Sequence, residues 1–530
     1  MEVDAPSDGY FTQYQQQQHL VHAHSLMQHI SNQSIDHAPF FVRHTNLVCT
    51  LGDHWDSDEK IDQMIKSGMN ILRLNLSMGT KEKYAEVIRR VRRLEESYDY
   101  NPSVGIALDL SAPPVRTGLI NESVDAVVVI QTGQMVTLTI NDEYEKNTTS
   151  SIIWINSLYF PHILHTVGTG DRIYIGEGII SLIVRDVGMD NIKCLVEQGG
   201  EVGSYERVQL PSERMYQATF NNTYKNDLNF AVQCQVDYVF TGYTTNANQV
   251  AQAKNILGKD ILLFAKIETK DSVKNLDEIM LYSDGIIIGR GGLSLCYPNE
   301  KIFQLQKQII AKCNIFHKPV FVITQLLESM RFKPRATRAE ISDVANAVLD
   351  GADGLILTTC REAESAIFHE RFWIDLKMAR EVRGLSPWNP GYFACLAAVE
   401  ASTTSNASAI FVVTTSGRSA LDIASFHPAC PVVAIMRRPE IARKCHSTRG
   451  IHPFVYTGEK LSEWSDDMDE RLNAALNFAK KRGFIGDGDQ IIVVTGQEAG
   501  SGSTNTVRIF EVPPKDRSLA VVKSQSSLTS

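Results

Sequence analysis

From residue 45 onward one unit recurs: a short apolar run rich in Val, Ile and Leu, a polar loop, then a segment with apolar residues at the 3.6-residue period. Strands that alternate with helices form a parallel sheet, because each helix carries the chain back to begin the next strand in the same direction. The unit is broken once. Before the break the runs are TNLVCTLG (45–52), NILRLNLS (70–77) and VGIALDL (104–110). After it come VDYVFTGY (236–243), DILLFAKIE (260–268), the run opening at Asp284, KPVFVITQLL (318–327) and DGLILTT (353–359). Eight such runs are the number that closes a (βα)8 barrel, and a doubly wound open sheet is the alternative.

The connecting segments carry helix punctuation. In SDEKIDQMIKSG, Ser57 or Asp58 can cap a helix whose face is Ile61, Met64 and Ile65, and Gly68 stops it. Thr80 can cap a second helix, with Tyr84, Val87, Ile88, Val91 and Leu94 on its apolar face. The break falls at SAPPVRTG, where Pro113 and Pro114 exclude a helix interior. Short β runs separated by Gly turns follow, alternating like antiparallel sheet and ending near Pro211. From about residue 391, SAIFVVTTSG, PVVAIMR and DQIIVVTG with helical spacers form a further α/β unit.

The expected architecture is therefore α/β: a TIM barrel (43–112 and 214–388), an inserted small β-barrel domain acting as a lid (113–213) and a C-terminal α/β domain (389–513). Residues 1–42, with QYQQQQHLVHAH at their centre, and the tail 514–530 are expected to be flexible. The chain's 530 residues accommodate roughly three domains. A net charge of −9 gives no wholesale attraction to nucleic acid or anionic membrane, so small acidic ligands need local basic sites. The nine cysteines are scattered and never in a C-x-x-C pair, which fits free thiols in a reducing compartment. No run approaches the ~18 apolar residues of a membrane span, and MEVDAPSDGY lacks a signal-peptide core. The default address is cytoplasmic.

In a barrel of this kind chemistry sits at the C-terminal ends of the strands. The residues closing the runs are Arg73, Asn75 and Ser77 after the second, Asp109 after the third, Lys266 and Glu268 after the fifth, Arg290 to Gly292 after the sixth, and Thr324 after the seventh. Two cationic side chains at one mouth call for an anionic substrate, a phosphate or a carboxylate. In DGIIIGRGGLSLCY (284–297) the buried run passes into what reads as a loop of three glycines, with backbone and Arg290 on offer but no acid before Glu300.

MIKSGMNILRLNLSMGT, AKIE, TQLLESM, KPRATRAEISDVANAVLDGAD, TTSGRSA and TGQEAGSGSTNT, in this order and spacing, resemble pyruvate kinase over roughly residues 40 to 512. The resemblance implies phosphoryl transfer from phosphoenolpyruvate to ADP, then protonation of the enolate to pyruvate, with ATP as the other product. It implies that Arg73 and Lys266 bind the moving phosphate, that Lys266 also steadies the enolate, and that Thr324 belongs to the protonation path. Gly291 and Gly292 would offer amides to the substrate carboxylate, and Arg116 would close over the site from the lid. Glu268 would ligate magnesium (Mg2+) or manganese (Mn2+), while Asn75, Ser77, Asp109 and the Leu110 carbonyl would hold potassium (K+). Thr414, Thr415, Ser416, Gly417, Arg418 and Ser419 match the family's sugar-bisphosphate effector loop, and a homotetramer or a mixed tetramer with paralogues is implied.

Several positions depart from the family pattern. R-G-D-L-G appears as RGGLS, so Gly292 replaces the second metal-binding acid. D-T-K-G-P-E-I-R-T-G appears as DLSAPPVRTG, with Ser111 for lysine and Pro114 for glutamate. Asp53 stands for proline, Met78 for histidine, Tyr205 and Glu206 for lid lysines, Cys360 for the acid of S-G-E-T, and Glu498 for an effector-site arginine. Glu206 adds an acid where ADP phosphates would approach. One carboxylate holds magnesium more weakly than two, and lost transition-state cation contacts typically cost ~100 to 1000-fold in rate. The expectation is a weakened enzyme or a non-catalytic subunit that binds ligand or joins active paralogues.

Overall fold

A computed structural model describes residues 25–33, 36, 42–52, 57–77, 79–110, 115–121, 126–156, 167–176, 179–209, 222–324, 326–331, 333, 335–355, 367, 369–382, 389–496, 502, 504–514 and 519. Eight parallel strands close a barrel: Asn46–Thr50, Ile71–Asn75, Gly105–Asp109, Tyr238–Thr241, Leu262–Ile267, Gly285–Gly289, Val320–Ile323 and Gly354–Leu355. Neighbours in the barrel are neighbours in sequence, and the eighth strand returns to the first through Asn46 opposite Gly354.

The barrel centre is filled from inside by Val48, Ile71, Tyr238, Phe240, Phe264, Ile287 and Phe321, all fully buried. Gly285 and Gly354 make room for two of those rings, since a Cβ at either would run into Phe264 or Phe321. A second apolar layer lies between strands and helices and takes Ile61, Ile65, Tyr84, Val87, Ile88 and Val91. The punctuation read from sequence is in place: Ser57 and Thr80 cap their helices by accepting from the amides of Lys60 and Lys83. Thr337 and Glu340 form a reciprocal capping box at the start of the helix Arg338–Leu349.

Between the third and fourth barrel strands the inserted segment forms a seven-stranded sheet and a two-stranded ribbon. Its pairings are antiparallel except one: Met135–Thr139 runs parallel to Ile152–Trp154, the chain crossing over through the short turn Asp142–Tyr144. The C-terminal unit is a five-stranded sheet in which Ile451–Val455 and Thr504–Glu511 join the three runs named from sequence. Both additions have interrupted apolar patterns, HPFV and TNTVRIFE, because they are the sheet's edges and face water.

Three expectations change. DGIIIGRGGLSLCY is strand followed directly by the helix Arg290–Cys296, not by a loop; Gly291 and Gly292 sit in its first turn. Part of the N-terminal segment is ordered: Ser25 caps the helix Leu26–Ser31, which buries His29. Leu519 in the tail exchanges backbone hydrogen bonds with the Asn473 side chain, at 2.8 and 2.9 Å. His19, His22, His24 and the rest of the tail from residue 515 lie outside the described residues.

The end of the barrel opposite the strand C-termini rests on the C-terminal unit. Asp237, just before the fourth strand and 3% exposed, accepts from Arg92 at 2.6 Å, Arg443 at 2.9 Å and the Ile106 amide at 2.8 Å. The Tyr238 hydroxyl donates to the Arg443 carbonyl, and Asn46 Nδ2 to the Thr448 carbonyl. This seam leaves the strand C-termini for the site.

Candidate active site

Parallel register sets the second and third strands so that Asn75 lies opposite Asp109 and Arg73 opposite Ala107. Arg73 reaches along the barrel top to Asp109, giving it Nε at 2.9 Å and Nη2 at 2.5 Å, while Nη1 donates to the Thr50 hydroxyl at 2.9 Å. From the fifth strand Lys266 Nζ pairs with the other oxygen of Asp109 at 2.5 Å. Asp109 is 1% exposed. Burial alone would raise its pKa, but Lys266 and Arg73 outweigh burial and hold the carboxyl below the usual range. Two cations thus share one buried anion, and the group carries an excess of one positive charge.

Glu268 follows the fifth strand and is fixed by what comes next. Its amide and that of Thr269 donate to the Ser272 hydroxyl at the start of the short helix Lys270–Lys274. Its Oε1 accepts from the Tyr243 amide at 2.8 Å. The helix Arg290–Cys296 lies directly against it. A Cβ built on Gly292 would stand 2.6 Å from Glu268 Cβ and 2.7 Å from the Glu268 carbonyl oxygen. One built on Gly289 would stand 2.9 Å from the same Cβ. No side chain fits at 292 without moving backbone.

Thr324, past the seventh strand, has φ +72°, a left-handed conformation costly for a β-branched residue. Arg290 holds it there: Nη2 donates to the Thr324 carbonyl at 3.2 Å and Nη1 to Asp343 at 2.6 Å. The Thr324 hydroxyl in turn accepts from the Gly291 amide at 3.2 Å.

The structure thus joins Arg73, Asp109 and Lys266 in one cluster, Glu268 with Gly292 in a second, and Thr324 with Gly291 in a third. Asn75 spends its Oδ1 on the Ser77 amide at 3.1 Å, and its carbonyl accepts from Tyr84. Leu110 is buried, its amide bonded to the Phe240 carbonyl. Arg116 donates to the Tyr205 carbonyl within the inserted domain. The Glu206 carboxylate lies in a cradle between Gly176 and Gly203, where half-burial raises its pKa against a bond from the Gly203 backbone. Thr414 to Ser419 form a turn from the strand Ala409–Val413 into the helix Arg418–Ala424. There the Gly417 amide donates to the Thr414 hydroxyl, Ser419 bonds Thr504 and Arg418 is exposed. Asp53, Met78, Ser111, Pro114, Cys360 and Glu498 lie outside the described residues.

Sequence reasoning missed Thr50, Tyr243 and the Arg290–Asp343 pair. Thr50 and Tyr243 close the first and fourth runs, so the strand-end rule that found the others also marks them. Asp343 had no such signal.

The donor set does not make a metal site by itself. Magnesium is usually held by one or two carboxylates, with waters and substrate oxygens completing its shell. Here both Asp109 oxygens face cations, Glu268 Oε1 is bonded to an amide, and the place for a second acid beside Glu268 is filled by packing. Among the described residues no cluster of three or more His, Cys, Asp or Glu side chains is arranged to hold a metal. Potassium at Asn75, Ser77, Asp109 and Leu110 would be a third positive charge on Asp109.

Comparison with known proteins agrees with this architecture. The family model described as "Pyruvate kinase, barrel domain" matches residues 42–366, and "Pyruvate kinase, alpha/beta domain" matches 393–510. A pyruvate kinase of Homo sapiens is 37% identical over 523 residues, covering 94% of this chain and 90% of the relative. The pyruvate kinase of Kluyveromyces lactis is 35% identical over 89% of this chain and 96% of its own length. One from Saccharomyces cerevisiae is 33% identical over 89% and 97%. With both domains matched in order across an eight-stranded barrel whose mouth carries Arg73, Lys266, Glu268 and Thr324, the chain belongs to the pyruvate kinase family.

Proposed function

We propose that this chain recognises phosphoenolpyruvate at the barrel mouth and passes its phosphoryl group to ADP slowly, with the metal and nucleotide sides of the site reduced. In that reaction the bond from the enol oxygen to phosphorus breaks and a bond forms to a terminal phosphate oxygen of ADP. The enolate left behind takes a proton at its methylene carbon and becomes pyruvate. Arg73 and Lys266 disperse charge on the moving phosphoryl group, and Lys266 also meets the enolate oxygen. The Gly291 and Gly292 amides receive the carboxylate in exchange for the Thr324 hydroxyl, which belongs to the proton path. Arg116 closes from the lid. A divalent ion supplies charge neutralisation in this family's chemistry, but no step is routed through magnesium or potassium, because Glu268 has no second acid at 292 and Asp109 already meets two cations. The loop Thr414 to Ser419 is proposed to take a phosphate of a sugar bisphosphate, and the cytoplasm is the proposed location.

The observation that carries this reading is the coupled Arg73–Asp109–Lys266 cluster, together with the closed space at Gly292. The test is a coupled assay of pyruvate formation by the purified chain over a range of Mg2+ and Mn2+. Lost charge contacts predict turnover reduced by ~100 to 1000-fold from a typical enzyme's ~10 s⁻¹. Turnover at or above that typical value would overturn the reading of a reduced site.

A second reading, a non-catalytic subunit that assembles with active paralogues, is favoured by one surface. On the helix His369–Val382, Ile374, Met378 and Val382 are 40%, 58% and 86% exposed at four-residue spacing, an apolar stripe suited to another subunit. Phosphoenolpyruvate binding with no turnover at any metal concentration would select it.

A further inference from the structure

We infer that the barrel mouth binds a phosphate monoester dianion without a divalent cation; this rests on the proposal above that the mouth is the substrate site.

The first ground is charge. An isolated pair of buried cations would repel each other and the site would need an anion merely to fold, but here Asp109 lies between Arg73 and Lys266 and leaves one net positive charge. Arg73 offers five N–H donors, of which Nε, one on Nη2 and one on Nη1 are used by Asp109 and Thr50. Two guanidinium N–H groups and two ammonium protons of Lys266 remain without partners among the described residues. Four such donors are enough to satisfy several oxygens of one phosphate through charge-assisted bonds.

The second ground is space. Where a divalent ion bridges protein and phosphate, one or two carboxylates hold it beside the phosphate. Glu268 is instead roofed by Gly289 and Gly292, with its own carbonyl 2.7 Å from where a Cβ at 292 would be, and one carboxylate oxygen is held by the Tyr243 amide. The two findings are independent, one from ion pairs across strands two, three and five, the other from packing between strand five and the helix after strand six. Both say that charge neutralisation at the phosphate comes from side chains.

The experiment is calorimetric titration of the full chain with phosphoenolpyruvate, once in EDTA and once in excess Mg2+, with inorganic phosphate as competitor and Mn2+ alone followed by its paramagnetic signal. The expected result is the same Kd within about twofold in both buffers, displacement by inorganic phosphate, and no Mn2+ immobilised by the protein alone. Lys266→Met and Arg73→Met should each weaken binding by at least about tenfold in both buffers, as loss of a charge-assisted contact predicts. Binding that EDTA weakens more than about tenfold would overturn this inference while leaving the proposed substrate site standing. No binding in either buffer would overturn both. Should a variant fail to fold, the two titrations of the parent chain decide alone.

Discussion

Restoring an acid at position 292 is the obvious way to repair the metal side of this site, and the structure predicts that it fails. A Cβ there stands 2.6 Å from Glu268 Cβ and 2.7 Å from the Glu268 carbonyl oxygen, both too near the backbone to swing aside. Ordinary contact needs close to 1 Å more, so the helix Arg290–Cys296 must shift, and overpacking of this kind costs about 1–3 kcal/mol. Gly292→Ala isolates that cost. Gly292→Asp adds a second carboxylate beside Glu268, up to about 4 kcal/mol of repulsion at ~4 Å and an effective dielectric near 20. The assay is thermal unfolding of parent, Ala and Asp chains in EDTA and in Mg2+. The Ala chain should melt lower by about 2–4 °C per kcal/mol. The Asp chain should melt lower still in EDTA and return only to the Ala level in Mg2+, since the ion offsets charge but not crowding. An Ala chain that melts with the parent, or an Asp chain that gains turnover with no loss of stability, would refute the packing argument.

Two further outcomes follow from buried polar groups. Burial lowers the pKa of His44 and His317 to about 3 and of His446 to about 4, and neighbouring arginines add to the effect. These rings stay neutral in the fold while the unfolded chain protonates them, so their contribution is complete above pH ~6.5 and is lost as pH falls toward 4. At pH ~5.5 each costs about 1.4 kcal/mol, offset in part by Asp353, whose raised pKa of about 6 favours the folded state in acid. Denaturation midpoints measured from pH 7.5 to 5 should fall steadily, and a flat profile would contradict the burial. Asp237→Asn removes the anion shared by Arg92 and Arg443 at the seam and should cost about 3–5 kcal/mol in chemical denaturation, with Arg92→Met in the same background costing much less than in the parent.

How much of this was legible in the sequence depends on the distance over which each property is decided. The eight runs, the two capped helices and the break at Pro113 and Pro114 are local: they follow from side-chain periodicity, from hydroxyls that bond an amide three residues on, and from the ring that denies a helix its N–H. The strand-end rule then named Arg73, Asp109, Lys266, Glu268 and Thr324 as one rim, because closing a parallel barrel puts all strand C-termini on one face. It applied equally to Thr50 and Tyr243, whose contributions were a hydroxyl and a backbone amide that residue type does not advertise.

Partnership belongs to tertiary structure alone. Asp109 draws Arg73 from 36 residues away and Lys266 from a later strand; Arg290 finds Asp343 across 53 residues. From the sequence Gly292 is a missing acid in a loop, yet what it permits is the approach of a helix onto Glu268, a contact defined by tenths of an ångström that no spacing encodes. Histidines that look solvated in composition become neutral core groups at the seam because two domains exclude water there. Which elements form, and in what order, is written along the chain, since both depend on neighbours within a few residues. Only the packed molecule decided which charges meet, which are buried and how much room is left beside Glu268, because Coulomb energy and steric overlap depend on distances through space.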